Sequence, residues 1–305
     1  MTESLQETLK RGFSDFKRNM MPLTIPPLLM MVVIFILSII FGAILGYFMY
    51  MDIASVGSGT VTYNYWAFLI LTIVFVLVIL LISGYFTAAI VGLSKEAVTI
   101  GTTKWKNMWG YGKKYFVRIT LATIISTILS LLAIIFYLPL IYELYKAGTD
   151  PTVVFGTPVA MMQLLDDMTI YYYAGMILST IYYILLSFVI YFVSYAIVVD
   201  DMKTIAGFKK SYQMLKENTI QVMWFVLAVT IISMLVVMVI MFLFYVFAWL
   251  LGIAGLYIAE ILAFIIIIFL VALTSVWGAR AYFVLEKRPV FVDEDSQKKT
   301  AEQTQ

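Results

Sequence analysis

Long apolar runs alternate along this chain with short charged segments, and the charged segments carry a pattern of their own. The apolar runs cover residues 22–50, 66–94, 115–141, 169–199, 220–250 and 255–283. Each exceeds the ~20 residues that a helix needs to cross a hydrocarbon core. At about 1.5 Å per residue such helices reach roughly 40 to 45 Å against a core of ~30 Å, so they must tilt or project past the headgroups. The expected fold class is all-α, a polytopic membrane protein of six uninterrupted transmembrane helices.

The charged segment 201–219 is itself periodic. Ile205, Phe208, Tyr212, Leu215 and Thr219 fall at i, i+3, i+7, i+10 and i+14, one stripe of a 3.6-period helix, and Lys209, Lys210, Gln213, Lys216 and Glu217 lie off it. The amino terminus repeats the pattern with Leu5, Leu9, Phe13, Phe16 and Met20, behind a Ser4-Leu5-Gln6-Glu7 capping box. At an offset of 199, Lys10-Arg11-Gly12-Phe13 lies on Lys209-Lys210-Ser211-Tyr212, and Phe16-Lys17-Arg18-Asn19 lies on Leu215-Lys216-Glu217-Asn218. A fainter copy at 97–115 places Trp105, Trp109, Lys113 and Lys114, with Gly101, Gly110 and Gly112 weakening it as a helix.

Basic amphipathic helices on the cytoplasmic side, each leading into two spans, predict a threefold internal repeat. Its units are about 1–94, 95–199 and 200–285, within one membrane domain 1–285, and a polar tail 286–305 follows whose composition predicts disorder. The plainer alternative is that any helix lying in an interface is basic and apolar by turns.

Composition narrows the chemistry. Hydrophobic residues make up 63% and charged residues 12% of the chain, and its mean hydropathy is +0.99, far from a soluble domain. The chain has no Cys and no His, which removes thiolate nucleophiles, imidazole bases and the usual zinc and haem ligands, so no cofactor or metal is expected. A net charge of +2 is too small to point to nucleic acid.

Its distribution says more. Taking the inter-span segments alternately, nineteen of the twenty Lys and Arg fall on one side and only Lys146 on the other. Retention of positive loops then predicts a multi-pass plasma-membrane protein with both termini cytoplasmic. Seven charges within Met1 to Met20 and no apolar stretch there argue against a cleaved signal peptide.

Candidate sites are few. Lys10, Arg11, Lys17, Lys113, Lys209, Lys210 and Lys216 are candidates to meet anionic headgroups. Arg118 and Arg280, near inner span ends, are expected to snorkel toward the same headgroups. Glu260, about one and a half turns inside Gly255, is the one ionisable residue within a span away from the inner ends. It is a candidate coupling site, or an interfacial acid open to water.

Small residues at spacing four, Ser38, Gly42 and Gly46 in the first span and Gly84, Ala88 and Gly92 in the second, serve helix packing or a homo-oligomer. Thr120, Thr123, Thr127 and Ser130 form a hydroxyl face on span three, and Gly175, Ser179, Tyr183, Ser187, Tyr191 and Tyr195 form a ridge on span four. They line a solute path or hydrogen-bond within and between helices. The outer loop 143–168 contains a Gly156-Thr157-Pro158 helix start, and its Asp166-Asp167 pair is either a weak cation site or simply solvated.

Val198 and Val199 ending a span, Asp201, and then Ala206, Ser211, Lys216 and Asn218 carry a family likeness. In these residues the chain resembles the six-span membrane domain that anchors some prokaryotic glycerophosphodiester phosphodiesterases, and its stand-alone bacterial and archaeal relatives. No phosphodiesterase catalytic domain is present, so the resemblance implies a stand-alone prokaryotic membrane domain without catalytic residues. The residues themselves agree, since no nucleophile and base pair lies at depth and the chain is not expected to be an enzyme. The expectation is a membrane-embedded scaffold, accessory or lipid-associated protein whose partners are anionic lipids, another copy of itself or another membrane protein. The alternative is a transporter or channel for a small solute or ion.

Overall fold

Capping and apolar length decide where the helices run. The computed structural model describes residues 3–56, 65–146 and 169–291, and every regular element among them is helical. Helix α1 (Leu5–Arg18) starts at Ser4, whose extended backbone lets its hydroxyl accept from the Glu7 amide at 3.2 Å. That is half of the expected capping box. The Glu7 carboxylate pairs with Arg11 instead of returning to Ser4.

A single residue, Asn19, joins α1 to α2 (Met20–Val56). Then come α3 (Tyr65–Thr99), a 3₁₀ turn at Trp105–Asn107, α4 (Met108–Leu131), a 3₁₀ stretch at Leu132–Tyr137 and α5 (Leu138–Lys146). After the segment 147–168 the chain forms α6 (Thr169–Ile190), α7 (Val193–Val199), α8 (Thr204–Glu217), α9 (Thr219–Leu251) and α10 (Ile253–Leu285).

Six stretches are long and apolar enough to cross a membrane, Met20–Phe48, Phe68–Thr99, Trp105–Tyr142, Thr169–Val199, Thr219–Leu251 and Ile253–Leu285. Large side chains such as Phe35, Ile70, Met238 and Phe242 stand open on their surfaces, as lipid contact requires. The protein is an all-α multi-pass membrane protein.

The helices form two compact units, one of residues 1–123 and 192–305, the other of 124–191. In the first, α10 packs against α1, α2, α3 and α9. Small residues make these approaches possible. A Cβ on Gly84 would lie 2.1 Å from the Thr120 hydroxyl, one on Gly92 would enter the Tyr111 ring, and Ala88, Ala272 and Ala279 are fully buried. Ser94 donates to Ser275 across α3 and α10 at 3.0 Å. Gly252, at φ +58°, is the one-residue turn between α9 and α10, a backbone state that suits glycine.

In the second unit, Tyr182 donates to the Leu129 carbonyl at 2.6 Å, Tyr183 to the Ser130 carbonyl at 3.3 Å, and the Tyr137 and Ser179 hydroxyls meet at 3.2 Å. Gly175 leaves the room that the Tyr137 ring fills.

Three expectations are corrected. The third span is not one continuous helix, because Pro139 has no amide for the Ile135 carbonyl and its ring crowds that carbonyl, and the preceding turn tightens to 3₁₀. The fourth span is interrupted at Tyr191 and Phe192. The segment 97–115 is not a separate amphipathic helix: α3 runs to Thr99, Gly101 turns the chain at φ +87°, and α4 goes straight into its span. The outer-loop expectations, Gly156 to Pro158 and Asp166-Asp167, fall outside the described residues, as does the tail beyond Phe291.

Candidate functional site

The first unit gathers its charges at one end, where α1 and α8 lie. α1 buries Thr8, Gly12, Asp15 and Phe16 and leaves Leu5, Phe13 and Met20 open, with Phe13 51% exposed. Its small and polar residues turn to the protein together with Phe16, which packs on Phe269, while Leu5 and Phe13 of the apolar stripe face outward. Gly12 admits the Trp277 ring, whose Nε1 donates to the Leu9 carbonyl at 2.9 Å.

α8 does the same. It buries Thr204, Gly207, Ser211 and Met214 and exposes Ile205 and Tyr212, the latter by 57%. Both helices have 14 residues, both start behind an extended residue, and both end at an asparagine before the next span.

Beneath α1 lies an ion cluster. Arg280 of α10 is only 1% exposed. It donates through Nε and Nη2 to Glu3 at 3.1 and 2.6 Å and through Nη1 to Asp15 at 2.5 Å. Asp15 also accepts from Arg18 at 2.8 Å, and Glu3 from Arg11 at 3.0 Å. Burial raises the Asp15 carboxyl above its ordinary value, outweighing the pull of Arg280 and Arg18.

The same end of α1 is tied to the α3–α4 link. Arg18 Nε donates to the Gly101 carbonyl at 2.6 Å, and Asn19 spans from Gly101 to the Thr103 amide at 2.9 Å each. Glu96 then holds that link by accepting from Thr103, Asn107 and Tyr111.

A second cluster forms the turn from α7 into α8. Asp201 takes a left-handed backbone at φ 55° and accepts from Arg118 at 2.6 Å and Lys114 at 3.0 Å. These bonds, that of Lys114 first, hold its carboxyl below the ordinary value. Asp200 accepts from the Tyr282 hydroxyl and from Arg288, both at 2.6 Å, and this bond raises the Arg288 guanidinium above its ordinary value. Lys210 of α8 reaches Glu286 at 2.8 Å, so the residues after α10 are pinned to α8.

Of the headgroup candidates, Lys10, Lys17, Lys113, Lys209 and Lys216 are exposed, while Arg11 and Lys210 are committed to Glu3 and Glu286. Arg280 does not snorkel. Two carboxylates brought by α1 meet it within the protein, which removes the drive to reach water. Arg118 is likewise bound to Asp201. Glu260 stands exposed on α10 and makes no hydrogen bond or ion pair among the described residues.

The polar ridges are largely spent inside the fold. Thr123 and Ser130 donate to carbonyls one turn back, Ser187 to Ile184, and Tyr195 to Ser275. Thr120 is buried against Gly84, and Thr127 is exposed. In the small-residue stripes, Gly84 and Gly92 pack within the chain, whereas nothing lies within 4 Å of Gly42 or Gly46.

Sequence reasoning overlooked Glu3, Asp15, Asp200, Glu96 and Glu286 as the acceptors that tie these segments together. One signal was available. Thr8, Gly12, Asp15 and Asn19 fall at i, i+4, i+7 and i+11, a second stripe opposite the apolar one, which marks the face meant for protein. Chemically, these carboxylates are each held by a guanidinium, an ammonium or a hydroxyl, an arrangement that fixes helices rather than activating a nucleophile.

The family model described as Domain of unknown function (DUF7847) matches residues 23–285. No curated protein and no solved structure matches.

Proposed function

We propose that this chain, which belongs to the DUF7847 family, is a non-catalytic membrane-embedded scaffold or accessory protein whose charged end rests on anionic headgroups at the cytoplasmic face of the plasma membrane. The observation that carries this reading is the shared build of α1 and α8. Each turns its small-residue face inward, leaves large apolar residues outward, and flanks them with exposed lysines, Lys10 and Lys17 on one and Lys209 and Lys216 on the other. That is the build of a helix lying in an interface, with its apolar side in acyl chains and its lysines among headgroups.

The likeness of 198–218 to six-span enzyme anchors supports the same reading, because an anchor has no chemistry of its own. The repeat is proposed to follow this logic too, with α1 and α8 as corresponding elements.

The test is lipid retention by the full-length protein, measured by native mass spectrometry at rising salt. Each lysine is worth about 1 kcal/mol near an anionic surface, so replacing Lys10, Lys17, Lys209 and Lys216 by Gln should strip most of the salt-sensitive phosphatidylglycerol. Equal retention by the variant would remove the basis of the proposal.

A second reading, passage of a small solute, draws on the interruptions of the third and fourth spans, since carriers place broken helices at their sites. Flux across proteoliposomes that Pro139→Ala abolishes would favour it.

A further inference from the structure

A cleft of about 320 Å³ opens between α1, α9 and α10, beside the buried Arg280 cluster. It is about ten times the ~30 Å³ of a water molecule and at the small end of ligand sites, which run from ~300 Å³. Thr8, Phe225 and Ala281 are its buried residues, and Leu5, Trp224 and Leu285 make apolar walls.

Its polar groups are unusual in what they leave unused. Thr8 is 4% exposed, its amide is bonded to the Ser4 carbonyl, and its hydroxyl makes no hydrogen bond among the described residues. A helical threonine ordinarily satisfies that hydroxyl on a carbonyl one turn back, as Thr24 and Thr72 do here. Gln221, exposed at the rim of the cleft, makes no hydrogen bond among the described residues, so its amide is open to an occupant. A threonine hydroxyl that lines a cleft and has no partner among the described residues can bond what enters the space.

Charge selects the occupant. Among the described residues Glu3 is the one charged member of the lining, and its oxygens already accept three guanidinium N–H groups, from Arg11 and twice from Arg280. Among the described residues no lysine or arginine lines the space, so a phosphate would meet a carboxylate and find no counter-ion. An ammonium would find the carboxylate already neutralised.

We propose that this cleft binds a single membrane lipid with an uncharged, hydroxyl-bearing head, of the acylglycerol class. The head hydroxyl bonds to Thr8 and Gln221, and the acyl chain leaves along Trp224, which is largely exposed and gives it a way out to the bilayer. The site uses none of the lysines that carry the anionic-surface reading, so either proposal can fail without the other.

The test uses full-length protein, freed of bulk lipid in mild detergent and offered dioleoylglycerol, dioleoyl phosphatidylglycerol or dioleoyl phosphatidylcholine. Native mass spectrometry should show one dioleoylglycerol retained, and phosphatidylglycerol in excess should not displace it. Thr8→Val with Gln221→Leu removes both hydrogen-bonding groups at nearly constant volume and should weaken retention about tenfold with the helical circular dichroism unchanged. Brominated dioleoylglycerol should quench tryptophan emission in the wild type and less in Trp224→Phe. Absence of an adduct, its displacement by phosphatidylglycerol, equal retention by the double variant or equal quenching in Trp224→Phe would each overturn the proposal.

Discussion

Replacing Arg280 by Met should release α1 while the spans stay folded. The guanidinium is buried and serves two carboxylates, Glu3 and Asp15, so its loss leaves both acids with less than their full set of partners. Breaking a buried ion pair from one side costs about 3–5 kcal/mol. Arg18 remains on Asp15 and Arg11 on Glu3, which places the cost near the lower end, about 3 kcal/mol.

The penalty falls locally. α1 is a short helix joined at Asn19 and held to α10 by this cluster, the Gly12 contact with Trp277 and the Trp277 bond to Leu9. At about 1.4 kcal/mol per decade, the opening equilibrium of residues 5–18 should rise on the order of 100-fold. Hydrogen–deuterium exchange of the full chain in nanodiscs reads this directly, with α9 amides as internal reference. A triple variant, Arg280→Met with Asp15→Leu and Glu3→Gln, removes charge from both sides and should recover most of the protection, since an apolar replacement of a buried pair is often neutral. Exchange of α1 within threefold of wild type in Arg280→Met, or a triple variant as open as the single one, would refute the reasoning.

Other outcomes follow from the same geometry. The folded-state carboxyl of Asp15 titrates above its unfolded value, so its contribution to α1 docking is fully present below about pH 4 and is lost as pH rises through the folded value. Protection of α1 in wild type relative to Asp15→Asn should therefore fall from acid toward neutral pH, and a rise would contradict the assignment. Gly84→Val should cost about 1–3 kcal/mol, because its side chain meets Thr120, including that residue's backbone, whereas Gly42→Val, with nothing within 4 Å, should leave the thermal unfolding of the monomer unchanged. Glu260→Gln should insert, fold and complement a deletion strain as wild type does, and failure beside a working Glu143→Gln control would make the outer part of α10 a coupling site. Single cysteines at Lys106 and Gln213 should resist an impermeant maleimide on intact cells while those at Ser58 and Thr152 react, and the reverse pattern would overturn the cytoplasmic placement of the charged end.

Class and the number of spans were legible because both depend on patterns within one segment. Apolar length alone marks the six spans, and the periodic stretches 5–20 and 201–219 mark the helices Leu5–Arg18 and Thr204–Glu217 to within about three residues of their ends. The rest was hidden for specific reasons. The continuity expected of the third span was lost at Pro139, whose effect falls on the carbonyl of Ile135 four residues back. The weak third copy at 97–115 is made of residues whose glycines make room for side chains elsewhere, Gly112 for Tyr85 and Gly101 for Phe291.

The sequence by itself determined that this is a helical membrane protein with six apolar spans, because hydrophobic length acts on each segment independently of its neighbours. Only the tertiary structure decided which charges face outward and which are consumed inside. Arg280 and Lys209 are alike in a string of letters. One meets Glu3 and Asp15 from 277 and 265 residues away and is buried, while the other meets no carboxylate among the described residues and stays exposed. The free energy of a charge near a membrane depends on whether a partner of opposite sign lies within a few ångströms, and that distance is set by the crossing of α1 on α10, not by the spacing of residues along either helix.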